Sequence, residues 1–187
     1  MLEKEGVETS FLIYEHLEET GGSVIFTVPN GGRIIMVHRG AASMLDPYDI
    51  PAPVLAQAGW IHLTSIAGRL ETLKTIFSVV NNQRRRFSSN PGKAEIKLLV
   101  EGELDLGSLM GMLLLVNQTE WTALESVQGQ LHQHFRQIIV TKGKEGGKVF
   151  QDGEQVYQYQ SPTTKIVNET GAGDSFAVGC IAALLKG

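Results

Sequence analysis

Apolar residues recur along the chain in short runs, and the way these runs alternate with polar segments changes after the first two runs. Two apolar runs, 23–28 and 33–38, flank the turn-forming segment Pro29-Asn30-Gly31-Gly32. This pattern predicts a β-hairpin. From Trp60 onward, short apolar runs alternate with segments of helical periodicity. Strands separated by helices indicate a parallel sheet covered on both faces, so we expect an α/β fold.

The elements of this fold are predicted in a regular order. Apolar runs predict strands at 60–63, 87–89, 112–116, 137–140 and 165–167, and a second hairpin from 148–150 and 155–159. Helices are predicted at about 69–82, 119–127 and 173–185. The runs 112–116 and 138–140 are apolar throughout, which is typical of strands buried on both faces.

The composition excludes several classes of protein. The 187 residues are 42% hydrophobic and carry 16 Lys and Arg against 20 Asp and Glu. These proportions are those of an ordinary globular domain and exclude a disordered, collagen-like or coiled-coil chain. The net charge of -4 gives no electrostatic attraction to nucleic acid or to an anionic membrane.

Cysteine and histidine provide little for a structural metal site. Cys180 is the single cysteine, so no intramolecular disulfide and no cysteine-based zinc site can form, and we expect a cytoplasmic location. His132 and His134 lie two residues apart and would point to different faces of a helix, so we expect surface residues. The charged start, 1–5, does not resemble a signal peptide, and no apolar run reaches the ~18 residues of a membrane span.

The strongest chemical signal is the glycine-rich turn 168–176, Asn-Glu-Thr-Gly-Ala-Gly-Asp-Ser-Phe, between an apolar strand and an apolar helix. Its glycines let backbone N–H groups approach a ligand, and the helix that follows directs its positive end at the same place, which favours an anion. Asp174 would then act as a general base on a hydroxyl that attacks a phosphoryl group. The alternative is that Asp174 is only the N-cap of the helix.

Two better-known phosphate motifs do not match. A dinucleotide fingerprint would require glycine where Phe176 stands, and a Walker loop would require Ser or Thr where Val149 follows Gly147-Lys148. The chain therefore has a phosphate site of another kind.

The glycine-rich turn and three further segments together resemble the ribokinase-like, or PfkB, carbohydrate kinase family. The turn is similar to the family signature D-T-x-G-A-G-D-x-F, 117–120 to its N-x-x-E motif, and 140–146 to its nucleotide-contacting T-x-G-x-x-G segment. Arg39-Gly40-Ala41 resembles the region that follows the small β lid of these kinases. The four segments occur in the family's order over nearly the whole chain.

The resemblance implies a Rossmann-like ribokinase fold, with a mostly parallel sheet flanked by helices and a small β-hairpin lid. It divides the chain into a partial lid region, 1–45, and a partial nucleotide-binding core, 46–187. It implies ATP-dependent phosphorylation of a hydroxyl of a sugar or nucleoside. The alternative is a regulatory module of the same fold that binds a sugar or nucleotide without catalysis. Since the first hairpin and the last helix stand at the two ends, we expect an internal fragment that is inactive alone.

The resemblance also implies roles for individual residues. Asp174 matches the catalytic base, and Gly171, Ala172 and Gly173 match the anion hole for the transferred phosphoryl group. The residues matched to ATP binding are Asn117, Thr141, Lys142, Gly143, Lys144, Glu145, Gly146, Gly173 and Asp174, and Glu120 matches the carboxylate that helps to place Mg²⁺.

Simpler structural roles stay open for two of these segments. Asn117 and Glu120 have the spacing of a capping box, and 141–147 could be a surface turn that binds no ligand.

Fewer residues of the sequence indicate where the acceptor substrate binds. Arg39 could bind an acidic group of the acceptor, and Asn90 ends a predicted strand where it would line the acceptor cleft. An exposed lid hairpin favours pairing with a second copy, so a homodimer through the lid is expected. Asn168 and Glu169 differ from the family's usual Asp and Thr, which leaves a monovalent-cation site uncertain.

Overall fold

The computed structural model describes residues 2–27, 33–163 and 170–186 and builds its strands into two sheets. The smaller sheet is the predicted hairpin, formed by β1 (Thr20–Thr27) and β2 (Arg33–Gly40). The two strands are antiparallel, with Val24 opposite Met36 and Ile25 opposite Ile35. These four side chains are exposed on both faces of the hairpin.

The larger sheet has six strands within the described ranges, in the order of the sequence. They are β3 (Trp60–Thr64), β4 (Arg86–Asn90), β5 (Gly111–Asn117), β6 (Phe135–Thr141), β7 (Gly147–Gln151) and β8 (Glu154–Tyr159). The first four are parallel, and β7 and β8 form the predicted second hairpin. The mostly parallel α/β fold is therefore confirmed. The predicted strand 165–167 lies outside the described residues.

Six α-helices accompany these strands in the part of the chain that the structure describes. They are α1 (Ala52–Leu55), α2 (Leu70–Gln83), α3 (Lys93–Val100), α4 (Gln118–Ala123), α5 (Gln128–His134) and α6 (Ala172–Lys186). α2 and α6 match the predicted helices. The helix predicted at 119–127 ends at Ala123 and is followed by a separate 3-10 turn, Glu125–Val127. None of the described helices is long and apolar enough to span a membrane.

The core lies on both faces of the larger sheet, as the unbroken apolar runs predict. Successive residues of β5 point to opposite faces, so Leu114 and Val116 pack with Phe87 on one side. Leu113 and Leu115 pack on the other side, against the apolar face of α6. This second contact fixes the position of α6 and of the turn that precedes it.

The two histidines near the end of α5 do not lie free on the surface, so that prediction was wrong. The ring of His132 packs 5.6 Å from Trp121 and 5.4 Å from Phe150, measured between ring centroids. Nδ1 of His134 lies 2.8 Å from the carbonyl oxygen of Leu109. Both side chains are half-buried and are used in packing.

Candidate active site

The carboxyl ends of the parallel strands meet along one edge of the larger sheet. Thr64, Asn90, Asn117 and Thr141 are the last residues of β3 to β6. Thr64 pairs with Asn90, and Asn117 pairs with Thr141. Asn90 Nδ2 donates to the carbonyl oxygen of Leu115 at 2.8 Å, which ties the end of β4 to β5. Open α/β sheets bind ligands beyond this edge, so three residues predicted for the site lie where a ligand would bind.

The same edge continues to the start of α6. Thr141 pairs with Gly147, and Gly147 pairs with Tyr159, the last residue of β8. The ring of Tyr159 stacks on that of Phe176, with centroids 5.7 Å apart and planes 18° apart. Because Phe176 is the fifth residue of α6, this contact fixes the first turn of α6 at the carboxyl edge of the sheet.

The start of α6 presents backbone donors that no helical hydrogen bond can use. Ser175 N donates to the carbonyl oxygen of Gly171 at 2.9 Å, so Gly171 is the N-cap, and its φ of 78° requires glycine. The N–H groups of 172–174 precede this bond and have no partner within the helix. A Cβ at Gly171 or Gly173 would meet no described atom within 4 Å, so the turn is open. These N–H groups can bind an anion such as phosphate.

Asp174 is the third residue of α6, and the hypothesis that it serves only as the N-cap is therefore wrong. The cap position belongs to Gly171, as the first helical hydrogen bond shows. The Asp174 side chain is exposed, and it accepts no hydrogen bond from the described residues. Among the described residues, no donor therefore holds its carboxylate.

A half-buried histidine of β3, His62, lies beside Ser88 of β4. Nδ1 of His62 lies 2.8 Å from Ser88 Oγ, which also accepts a hydrogen bond from Trp60 Nε1 at 2.8 Å. Burial lowers the pKa of His62, while a hydrogen bond to the Ser88 backbone and the negative charge of Asp174 act in the opposite direction.

Asn117 and Glu120 form the capping box that was one of the two interpretations of their spacing. Asn117 Oδ1 accepts from Glu120 N at 2.9 Å, and Glu120 Oε2 accepts from Asn117 N at 2.8 Å. Glu120 Oε1 accepts no hydrogen bond from the described residues. One free carboxylate oxygen suits Mg²⁺, which is usually held by one or two carboxylates, phosphate oxygens and water. Within the described ranges, no three His, Cys, Asp or Glu residues form a metal-binding group of their own.

The segment 141–147 closes on itself at the end of β6. Lys142 N donates to the carbonyl oxygen of Gly146 at 2.7 Å, and Gly146 N donates to that of Gly143 at 3.0 Å. Gly146 has a φ of 87°, and a Cβ there would collide with the carbonyl oxygen of Tyr159. Gly143 has a φ of 56°, but a Cβ there would meet nothing among the described atoms. Backbone packing therefore explains Gly146, whereas the space beside Gly143 is open.

Arg39 and the residues before the glycine-rich turn are not brought into this arrangement. Arg39 is exposed on β2, and no hydrogen bond or ion pair joins its side chain to the described residues of the sheet edge. Asn168 and Glu169 lie outside the described residues.

Glu95, in the first turn of α3, was not predicted from sequence. It is 3% exposed, and its carboxylate accepts four hydrogen bonds. Oε1 accepts from Ile66 N at 2.9 Å and Gly68 N at 2.8 Å, and Oε2 accepts from Ser65 Oγ at 2.9 Å and Gly92 N at 3.0 Å. These bonds join the loop after β3 to the start of α3, and they lower the pKa of Glu95 although burial alone would raise it.

Neither Glu95 nor His62 has a clear signal in the sequence. Their hydrogen-bond partners are far away along the chain. The local sequence around each residue is also like that around many ordinary surface or core residues. A glutamate three residues after Gly92 indicates a helix start, but it does not reveal the loop that the carboxylate holds.

Comparison with known proteins agrees with this geometry. The sequence profile of the pfkB family carbohydrate kinases matches residues 1–187. A relative from Archaeoglobus fulgidus, described as an uncharacterized sugar kinase, is 27% identical over 199 residues, covering 99% of this chain and 76% of the relative.

Solved structures share the fold at lower sequence identity. The Methanocaldococcus jannaschii nucleoside kinase, an archaeal member of the ribokinase family, matches with a TM-score of 0.74 and 21% identity, covering 100% of this chain and 61% of its own. A putative ribokinase II from E. coli, in complex with ATP and Mg²⁺, matches with a TM-score of 0.71 and 20% identity, covering 91% of this chain and 59% of its own. The chain thus spans about three fifths of the length of these two structures.

Proposed function

Since the chain belongs to the pfkB family of carbohydrate kinases, we propose that the protein transfers the γ-phosphoryl group of ATP to a hydroxyl of a sugar or nucleoside. The observation that carries the proposal is the placement of Asp174 and the free donors of α6 at the same sheet edge as Asn117 and Thr141. A base, an anion hole and a nucleotide site must be adjacent for phosphoryl transfer, because catalysis depends on positioning and on charge stabilisation.

Asp174 is proposed as the catalytic base. An exposed carboxylate with no hydrogen-bond donor among the described residues is available to take the proton of an acceptor hydroxyl as that hydroxyl attacks phosphorus. The backbone N–H groups of Gly171, Ala172 and Gly173 would stabilise the charge on the transferred group. The open space beside Gly171 and Gly173 supports this role, since phosphate oxygens must approach the backbone closely.

The nucleotide is proposed to lie along the ends of β5 and β6. Asn117 keeps its amide Nδ2 for a phosphate oxygen, because the capping box uses only Oδ1. The loop at 141–146, Thr-Lys-Gly-Lys-Glu-Gly, would run along the nucleotide, with open backbone at Gly143. Glu120 would hold Mg²⁺ or its water shell through Oε1, and the ion would neutralise charge on the phosphates.

The acceptor is proposed to bind between the sheet edge and the hairpin. Residues 1–45 would serve as the lid region, and 46–187 as the nucleotide-binding core. Asn90 would line the acceptor cleft, and Arg39 would contact the acceptor from the lid. A lid that excludes water protects the phosphoryl group from hydrolysis.

The hairpin is also proposed to mediate a homodimer. Phe26 is 52% exposed and Met36 is 62% exposed on a sheet of only two strands. Hairpins of this size are marginally stable alone, so pairing with a second copy would cover the apolar side chains.

The proposal is tested by supplying Mg-ATP and a panel of sugars and nucleosides to the complete protein, meaning this sequence with any flanking sequence encoded with it. Formation of ADP and of a phosphomonoester, followed by ³¹P NMR, is expected with at least one acceptor and not without acceptor. Binding of a sugar or nucleotide with no phosphoryl transfer to any acceptor would contradict the proposal and favour the regulatory module.

A further inference from the structure

The segment that follows the first hairpin is held by the start of α2. The carbonyl oxygen of Leu45 accepts a hydrogen bond from Thr72 Oγ1 at 2.9 Å and another from Arg69 Nε at 3.2 Å. The Arg69 guanidinium also lies 3.9 Å from the Asp46 carboxylate, measured from Nη2 to Oδ2. Leu45 is the last residue of the proposed lid region, so these bonds join that region to the core.

Two threonines of α2 use their hydroxyl groups differently. Thr75 Oγ1 donates to the carbonyl oxygen of Glu71 at 3.0 Å, four residues earlier in the same helix, which is a common use of threonine in helices. Thr72 is 1% exposed and donates to Leu45, 27 residues earlier in the chain. A buried hydroxyl needs such a partner, because burial without a hydrogen bond is costly. The Thr72 hydroxyl therefore joins two separate elements.

Only a short turn separates this contact from the hairpin. β2 ends at Gly40, and a 3-10 turn, Ala41–Ser43, follows at once. Ser43 Oγ donates to the carbonyl oxygen of Gly40 at 2.8 Å, and Ala41 N donates to that of Glu19, just before β1, at 2.9 Å. These bonds fix the turn to the base of both strands. The contact with α2 therefore fixes where the hairpin begins.

The start of α2 is itself fixed to the carboxyl edge of the sheet. The loop 65–69 leads from the end of β3 to α2. Gly68 N of this loop donates to Glu95 Oε1 at 2.8 Å, and Gly92 N donates to Glu95 Oε2 at 3.0 Å. Gly92 lies two residues after Asn90, the residue proposed to line the acceptor cleft. A chain of hydrogen bonds thus connects the base of the hairpin to the acceptor side of the sheet edge.

We propose that Thr72, together with Arg69, is a positioning residue that anchors the hairpin over the acceptor cleft through the carbonyl group of Leu45. The inference rests on the proposed function, in which the hairpin is a lid and Asn90 lines the cleft. A hairpin held at its base closes over one place on the sheet edge, whereas a hairpin released there closes less completely. Incomplete closure weakens acceptor binding and admits water to the phosphoryl group.

Kinetics of the complete protein separate anchoring from packing. Thr72→Val removes the hydroxyl and keeps the branched shape, Thr72→Ser keeps the hydroxyl, and the matched control Thr75→Val removes a hydroxyl bonded within α2. We expect Thr72→Val to raise the KM for an accepted acceptor by about threefold to tenfold, the effect of losing one hydrogen bond. In ³¹P NMR, it is also expected to form more inorganic phosphate relative to phosphomonoester. The KM for ATP is expected to stay the same, because ATP is proposed to bind at β5 and β6.

The other two variants are expected to behave like wild type. Equal KM and equal hydrolysis in Thr72→Val and Thr75→Val would overturn the proposal. So would a Thr72→Ser variant as impaired as Thr72→Val, because the hydroxyl would then not be the group that matters. A loss of stability in Thr72→Val with wild-type KM and hydrolysis would leave Thr72 with a packing role only, and would overturn the proposal too.

Amide hydrogen exchange tests the anchor without catalysis. In the complete protein, Thr72→Val is expected to speed exchange of the Ala41 N–H, which closes the base of the hairpin, by about threefold or more relative to Thr75→Val. Exchange of the Leu114 N–H in the core is expected to stay the same, which excludes global unfolding as the cause. Unchanged exchange at Ala41 would overturn the proposal. If the wild-type protein phosphorylates no acceptor, the proposed function fails, and the anchor is judged on exchange alone.

Discussion

Glu95 and Asp174 occupy the same local position in two helices and have opposite surroundings. Each is the third residue of its helix, after a glycine N-cap, Gly92 or Gly171. Glu95 is 3% exposed and accepts four hydrogen bonds. Asp174 is exposed and accepts none from the described residues.

The difference shows that a carboxylate at the third position of a helix can be either fully hydrogen-bonded or left available for a ligand. The oxygens of Glu95 are used to hold the loop after β3 against the start of α3, so its carboxylate has no capacity left for a ligand. The oxygens of Asp174 accept no hydrogen bond from the described residues, which leaves them available for the proposed role as base. Glu120 is intermediate, because one of its oxygens caps α4 and the other is free among the described residues.

Replacement of the buried carboxylate is expected to have the largest effect on stability. Glu95→Gln replaces one acceptor oxygen with an NH₂ group that faces donors, so we expect the free energy of unfolding to fall by about 3 kcal/mol. Urea denaturation measures this loss. The control Glu103→Gln, at an exposed glutamate, is expected to change stability by less than about 0.5 kcal/mol. Equal stability of the two variants would contradict the role assigned to Glu95.

Two glycines of the loop after β6, Gly143 and Gly146, differ in whether there is room for a Cβ atom. Gly146→Ala forces a Cβ into the carbonyl oxygen of Tyr159 as well as straining φ, so we expect a loss of at least about 2 kcal/mol. Gly143→Ala strains φ without a collision, so we expect about 1 kcal/mol. Both losses are measured by urea denaturation. The reverse order would show that the loop does not pack against β8 as described.

The pH dependence of stability is expected to show the smallest effect. The pKa of Glu95 is lowered in the folded protein, mainly by hydrogen bonds from Gly68, Ser65 and Ile66 that outweigh burial. A lowered pKa contributes stability above the unfolded-state pKa, and this stability is lost as the pH falls through the folded-state pKa.

Wild type is therefore expected to lose stability more steeply than Glu95→Gln between about pH 6 and about pH 3. Urea denaturation across this pH range measures the two slopes. Parallel slopes would mean that Glu95 does not titrate differently in the folded and unfolded chains.

Much of the fold follows from local patterns in the sequence. The runs 112–116 and 137–140 form strands whose apolar residues are buried on two faces, as their almost unbroken apolar sequence predicts. α3 and α5 were not predicted, because each has only seven or eight residues and is positioned by tertiary packing. The helix at 119–127 was predicted too long for the same reason.

The candidate site also has some features that the sequence predicts and others that it does not. The glycine-rich turn and the polar ends of β5 and β6 could be predicted, since special backbone conformations and strand ends leave local signals. The interactions of His62 with Ser88, and of Glu95 with Ile66 and Gly68, could not be predicted. They join segments that only the parallel sheet brings together.

The most direct test of the account is the rate of phosphoryl transfer by Asp174→Asn in the complete protein, measured with an accepted substrate. The matched control is Asp152→Asn, at an exposed residue in the turn after β7. We expect kcat to fall by ~10² or more, because the base is lost. The KM for ATP is expected to stay the same, and the free energy of unfolding is expected to change by less than about 0.5 kcal/mol. An unchanged kcat, or a loss of stability as large as that of Glu95→Gln, would contradict the claim that the open carboxylate serves chemistry and the closed one serves structure.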